Sequence, residues 1–204
     1  METNSRPAVV ACIVLAAGRS TRMGVENKLL ADLGGRPMVR RVAEAALASR
    51  ARPILVVTGH QRQLVRAALG GLDVTFLDNP DYAVGLSSSL KAGIGAVPAD
   101  CDGALVLLGD MPLITGLHLD RLTAAFAANA GIVVPTHKGA RGNPVLWPRA
   151  RFAEMLQLEG DAGAKRLLAA HAREVHEVDL GTNAIFADID TPEALAELRK
   201  PTSC

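Results

Sequence analysis

Aromatic side chains are scarce in this chain, 3% of 204 residues, with one Trp and one Tyr. A core of stacked rings is thereby excluded. The 49% of apolar residues must pack mainly as Ala, Val, Leu and Ile, which suits helices laid on a buried sheet. Net charge is equally lacking: 22 Lys and Arg stand against 21 Asp and Glu, a balance of +1. No global field would draw such a chain to nucleic acid or to a membrane, so any anion site must be local. The three cysteines, Cys12, Cys101 and Cys204, have no CxxC spacing for zinc or redox work and fit inert thiols in a reducing cytoplasm. The N-terminal apolar run, about nine residues, is too short for a bilayer span and flows into a glycine loop instead of a signal-peptide cleavage site.

Several sequence signatures are missing too. GxGxxG is absent, which disfavours a dinucleotide-binding oxidoreductase. A P-loop fails because five residues separate Gly18 from Gly24 and Val25 follows. His60, His118, His137, His171 and His176 show neither HxxxH nor HExxH spacing, which argues against zinc, and no GxSxG elbow supports a serine hydrolase.

Short apolar runs alternate with helical periodicity. Strand-length segments at 8–16, 53–58, 73–78, 103–110 and 131–136 are separated by helical patterns at 38–49, 61–71, 88–97 and 117–129. This β-α-β-α order predicts a parallel, doubly wound sheet. After residue 136 a loop feeds a short apolar segment, followed by helices at 150–157, 163–172 and 192–199 and a strand near 174–179. Ligands of doubly wound sheets lie beyond the carboxyl ends of the strands, so "AAGRSTRMG", "DNPDYAVGLSSS", "GDMP" and "PTHKGARGNP" should converge on one crevice.

Those strand ends carry the chemistry. Gly18 lets backbone approach a ligand, and Arg19, Arg22 and Lys28 surround it with positive charge suited to a triphosphate; the plainer alternative is a solvated basic loop. Asp110 ends an apolar strand beside Gly109, where a lone carboxylate needs a partner such as Mg²⁺. It could instead cap the next helix, although Thr115 and Gly116 lie closer to that start. Asp188 and Asp190 alternate with Ile189, which sends both carboxylates to one side, and Asp110 with Asp190 would form a Mg²⁺ pair; Asp188 could equally be a surface residue. Ser87, Ser88 and Ser89 open a helix, at least one as its cap and another free to bond a base edge or phosphate. Trp147 suits either packing or an acceptor pocket.

The segments "LAAGRSTRMGVENKLL", "GLSSSL", "LGDMP", "RGNPVLW", "GDAGAK" and "DIDTPEAL" together resemble the MobA-like nucleotidyltransferases, and among them the molybdenum cofactor cytidylyltransferases, from about residue 11 to 198. The resemblance implies a single Rossmann-like three-layer α/β/α domain over 1–204, with a mostly parallel sheet of the nucleotide-diphospho-sugar transferase type. Residues 8–136 would form its nucleotide half and 137–200 its acceptor half. It implies that Leu15, Ala16, Ala17 and Gly18 hold base and ribose, with Ser89 and Gly109 at the nucleotide. Arg22 and Lys28 would grip the triphosphate, with Arg19 assisting. Asp110 would bind Mg²⁺, or Mn²⁺, with Asp190 as second ligand and Asp188 as the other possibility. Arg141, Asn143 and Asp161 would lie near the acceptor.

LAAG is usual among relatives that use CTP, and LAGG among those that use GTP, so Ala17 favours CTP. The implied acceptor is a molybdopterin-type small molecule, with a molybdoenzyme of the xanthine dehydrogenase type as recipient of the product, in the cytoplasm and without nucleic acid or membrane. Rival readings are a GTP-dependent guanylyltransferase, a nucleotidyltransferase acting on a sugar phosphate, methylerythritol phosphate or another alcohol phosphate, and a non-catalytic carrier of finished cofactor.

Overall fold

The computed structural model describes residues 7–19, 27–160, 163–189 and 191–199. Its centre is an eight-stranded sheet ordered β3-β2-β1-β4-β7-β5-β6, with β8 paired to β5. The strands are β1 (Val10–Ala16), β2 (Ile54–Thr58), β3 (Thr75–Asp78), β4 (Gly103–Leu108), β5 (Ile132–His137), β6 (Ala140–Arg141), β7 (Val145–Pro148) and β8 (Val175–Asp179). The helices are α1 (Met38–Leu47), α2 (Arg62–Ala68), α3 (Leu86–Gly95), α4 (Gly116–Asn129), α5 (Phe152–Met155), α6 (Gly163–Ala170) and α7 (Pro192–Arg199).

Every residue of β1 is buried, as a strand covered on both faces requires. Alternate side chains enter two cores. Val10, Cys12, Val14 and Ala16 pack with Val42 and Ala46 of α1, Val65 of α2 and Leu122 and Phe126 of α4. Ala11, Ile13 and Leu15 pack with Leu90 and Ile94 of α3, Phe152 and Met155 of α5 and Leu167 of α6. The result is the expected three-layer α/β/α arrangement. Gly93 of α3 allows the close approach, since a Cβ there would meet Cγ2 of Ile13 at 2.5 Å.

The sheet departs from parallel pairing at two strands, β7 and β6, the latter running antiparallel to β5. β1 pairs in parallel with both β2 and β4, and β2 with β3. β7 then inserts antiparallel between β4 and β5, where Leu146 faces Leu105 on one side and Val133 on the other. The segment is short and follows a loop carrying Gly139 and Gly142, so its periodicity shows little of this. Trp147 is 2% exposed and packs in the second core, the packing role of its two sequence readings. Because β5 runs with β4, the carboxyl ends of β1 to β5 share one edge of the sheet.

The α3 serines are a correction. The N-cap of α3 is Gly85, with no side-chain cap, and the Ser88 hydroxyl donates to the Gly85 carbonyl at 2.8 Å instead of accepting from a helix amide. Thr115 does cap α4, in a reciprocal box with His118, which leaves Asp110 without a capping duty.

Burial pushes the Cys12 thiol up to about 12, so it stays protonated across the ordinary pH range. Alkylation of native protein with iodoacetamide at pH 8 should spare Cys12 and label it only on unfolding; rapid native labelling would contradict its place in the core. The sign for stability follows. Cys12 is neutral in both states below about pH 9, and stability falls as pH climbs from there toward 12, where only the unfolded thiol ionises.

Candidate active site

Asn27 starts a single 3₁₀ turn over Lys28–Leu30, its Oδ1 accepting from the Leu29 amide at 3.1 Å. Leu29 is 4% exposed and anchored in the first core, so the turn has one orientation and carries Lys28 to the sheet edge. There the Lys28 ammonium donates to Oδ2 of Asp110 at 2.6 Å, with side-chain exposures of 13% and 14%.

Asp110 follows β4 through Gly109, whose amide donates to the Leu15 carbonyl at 2.9 Å. A Cβ at Gly109 would stand 2.8 Å from that same carbonyl oxygen. The obstacle is backbone, so only glycine lets the β4 end lie this close to β1. Behind Asp110, its own carbonyl accepts from the Ile189 amide at 3.1 Å. Ile189 is itself clamped in a small cluster with Leu33, Met38 and Leu195. The C-terminal segment is thus fastened to the first half of the chain at this carboxylate.

Burial raises the Asp110 pKa against the pull of Lys28, and Asp188 nearby raises it further. Its Oδ1 is buried with no hydrogen-bond partner among the described residues. A carboxylate with one oxygen on an ammonium and the other facing no donor fits a hard divalent cation, which favours oxygen ligands. No group of three or more His, Cys, Asp or Glu able to hold a metal occurs among the described residues. Mg²⁺ bound through one or two carboxylates plus substrate phosphates needs none.

On the other flank of the β1 loop, a cleft of about 450 Å³ opens beyond β2 and β3, lined among others by Thr58, Gly59, Gln61, Asp78, Asn79 and Tyr82. The Thr58 hydroxyl, with Arg66 and Arg62, holds the Asp78 carboxyl below its usual range. Asn79 is 5% exposed; its Nδ2 donates to the Ser88 and Ser89 hydroxyls at 2.9 and 3.0 Å, and its Oδ1 accepts from the Asp81 amide. Ser89 therefore has an acceptor site in use. Tyr82 packs on Gly59, where any Cβ would meet its own at 2.6 Å, and carries the Arg19 guanidinium 5.6 Å from its ring centroid and the His60 ring at 6.0 Å.

Of the residues singled out in the sequence, Leu15, Ala16, Ala17, Gly18, Arg19, Lys28, Gly109 and Asp110 share the ends of β1 and β4. Ser89 lies beyond β3, and Asp188 is close enough to act on Asp110. Arg22, Asp161 and Asp190 lie outside the described residues. Arg141, on β6, pairs at 2.8 Å with Glu177 of β8, and the Asn143 amide donates to the Ile185 carbonyl. Tyr82, His60, Asn79 and Ile189 were not among the expected site residues. The only tyrosine of an aromatic-poor chain, standing at a strand end, was the signal for the first of these.

Comparison with known proteins now decides the family: residues 12–175 match the model of the MobA-like NTP transferase domain. The chain belongs to that family. It carries an NTP transferase domain. Molybdenum cofactor cytidylyltransferase of Escherichia coli is 29% identical over 189 residues, 91% of this chain and 93% of that one. Bifunctional protein GlmU of Kineococcus radiotolerans is 39% identical over 133 residues, 63% of this chain but 27% of its own length. The chain therefore spans about a quarter of that relative. Rv0371c from Mycobacterium tuberculosis H37Rv shares the fold, with a TM-score of 0.85 and 24% identity over 95% of this chain and 99% of its own. No helix among the described residues is long and apolar enough to cross a membrane.

The unsatisfied acceptor on Asp110 has a measurable consequence. Mg²⁺ or Mn²⁺ at about ten times its Kd should raise the melting temperature by roughly 3 °C or more, and Asp110→Asn should remove that shift. An equal shift in the variant would place the cation elsewhere.

Proposed function

We propose that this nucleotidyltransferase is a cytidylyltransferase that moves CMP from CTP to the terminal phosphate of a molybdenum-bearing molybdopterin, releasing pyrophosphate. The observation that carries this reading is the likeness to the Escherichia coli molybdenum cofactor cytidylyltransferase, which covers 91% of this chain and 93% of that one, whereas the GlmU likeness covers 63% of this chain. Ala17 in the β1 loop supports CTP over GTP. A molybdoenzyme of the xanthine dehydrogenase type would take the product, and the chain would act in the cytoplasm as a single domain.

In this reading the backbone of Leu15 to Gly18 receives the nucleoside, and Arg22 and Lys28 hold the triphosphate. Ser89, its acceptor side occupied by Asn79, offers its O–H to the base or ribose. Asp110, with Asp190 and with Asp188 nearby, would hold Mg²⁺ or Mn²⁺, which when bound neutralises phosphate charge and aligns the α-phosphorus. Gly109 keeps the Asp110 carboxylate against the end of β1. Arg141, Asn143 and Asp161 belong to the acceptor side, and the Asn143 amide's bond to Ile185 ties that side to the segment leading to Asp188.

Attack of one phosphate on another sets anion against anion. The chain answers with cations and position and needs no general base, because a phosphate monoester is already ionised near neutral pH. The oxygen of the acceptor phosphate forms the new bond to the α-phosphorus, and the α–β bridging oxygen leaves with pyrophosphate.

Pyrophosphate release measured with CTP, GTP, ATP and UTP, each with and without molybdenum-loaded molybdopterin, tests the assignment. Turnover should require CTP and the pterin together, and Asp110→Ala should cut it at least about a thousandfold in protein that remains folded. Preference for GTP would overturn the base, and turnover with a sugar phosphate in place of the pterin would overturn the acceptor.

A further inference from the structure

Two cations of the β1 region lie on opposite flanks of the loop. Lys28 turns toward β4 and pairs with Asp110. Arg19 turns the other way, toward the β3 end, where its guanidinium carbon lies 5.6 Å from the Tyr82 ring centroid. In the strand order β3-β2-β1-β4 these flanks are separated by the width of the loop itself. A nucleotide with its phosphates at Lys28 and Asp110 and its base across the loop would bring that base to the Arg19 flank, beside the polar cleft of about 450 Å³ of which Tyr82 is a wall.

We infer that Arg19, held in place by the Tyr82 ring, reads the acceptor edge of the nucleobase and is a source of the preference for CTP. This inference rests on the cytidylyltransferase reading and names the residue that would enforce it. A guanidinium held over an aromatic face still carries its N–H donors as a planar fork. Cytosine presents two adjacent acceptors, O2 and N3, to such a fork. Uracil carries a proton on N3, so the same fork meets a donor and loses one of its two bonds.

Several contacts fix the platform. Gly59 lets the Tyr82 Cβ settle where any side chain would collide, and the His60 amide donates to the Ala17 carbonyl at 3.1 Å, so the segment carrying Gly59 and His60 is tied to the loop that carries Arg19. Asn79, bonded to the Thr58 carbonyl, to the Asp81 amide and to two serines, braces the turn that leads to Tyr82. Arg19 is exposed, and among the described residues no carboxylate pairs with it.

Calorimetric titration of the whole chain with CTP, UTP and inorganic triphosphate, each with Mg²⁺, tests this on wild type, Arg19→Ala, Tyr82→Leu and Tyr82→Phe. Arg19→Ala and Tyr82→Leu should weaken CTP about tenfold to a hundredfold, weaken UTP by a smaller factor and leave triphosphate unchanged, and Tyr82→Phe, which keeps the ring, should retain wild-type selectivity. Equal losses for all three ligands would put Arg19 on the phosphates and overturn the inference, as would unchanged CTP affinity in Arg19→Ala. Arg19→Ala alters an exposed loop side chain, so it decides the matter even where Tyr82→Leu melts early. Failure of the underlying reading has a different appearance: wild type itself would prefer another base.

Discussion

The Lys28–Asp110 pair is the interaction on which the rest of the site depends. An ammonium 2.6 Å from a carboxylate, both largely out of water, is stable only if something fixes each partner. Asn27 and the buried Leu29 fix the lysine, while Gly109 fixes the aspartate by pressing the end of β4 against β1. Yet the pair is unbalanced. Burial and Asp188 both raise the Asp110 pKa despite Lys28, and Oδ1 has no donor among the described residues. A half-satisfied carboxylate at a strand end is a cost to the apo protein that a cation with phosphate oxygens would relieve. Local strain of this kind belongs where a ligand is expected to arrive.

Around that pair the fold distributes tasks by strand. β1 and β4 bring backbone and charge together, β2 and β3 supply a polar cleft walled by Tyr82, and the segment after β8 returns to the same edge through Ile189. The return matters because Ile189 bonds Asp110 through its amide while its side chain packs with Leu33 and Met38, next to the turn that carries Lys28. One residue of the C-terminal segment therefore touches both Asp110 and the segment that follows the Lys28 turn. Disturbance of α7 would be felt at the site without any change in the residues that form it.

Much of this was legible from residue order alone. Five strands, the helices between them and the shared strand edge follow from apolar runs alternating with helical periodicity, because a sheet buried on both faces leaves that imprint. Asp110 and Lys28 were legible as charges at strand ends, though their direct pairing was not, since spacing says nothing about contacts 82 residues apart. β7 was hidden because its few apolar residues follow a glycine-containing loop and its antiparallel partners come from distant segments. The serines of α3 do not cap it for a local reason: Gly85 starts the helix at φ +133°, a conformation that favours glycine, and Asn79 claims the hydroxyls. Tyr82 and His60 passed unnoticed because their significance is mutual, one ring packed against another and against Gly59.

The account's central claim is that Lys28 and Asp110 act as one unit, with the second carboxylate oxygen reserved for a cation. A double-mutant cycle in the affinity for CTP with Mg²⁺, using Lys28→Met, Asp110→Asn and the double variant, tests it most directly. The account predicts strong non-additivity: the double variant binds about as well as the weaker single one, with a coupling of roughly 1 kcal/mol or more. Losses that simply add would show two independent contacts and contradict it.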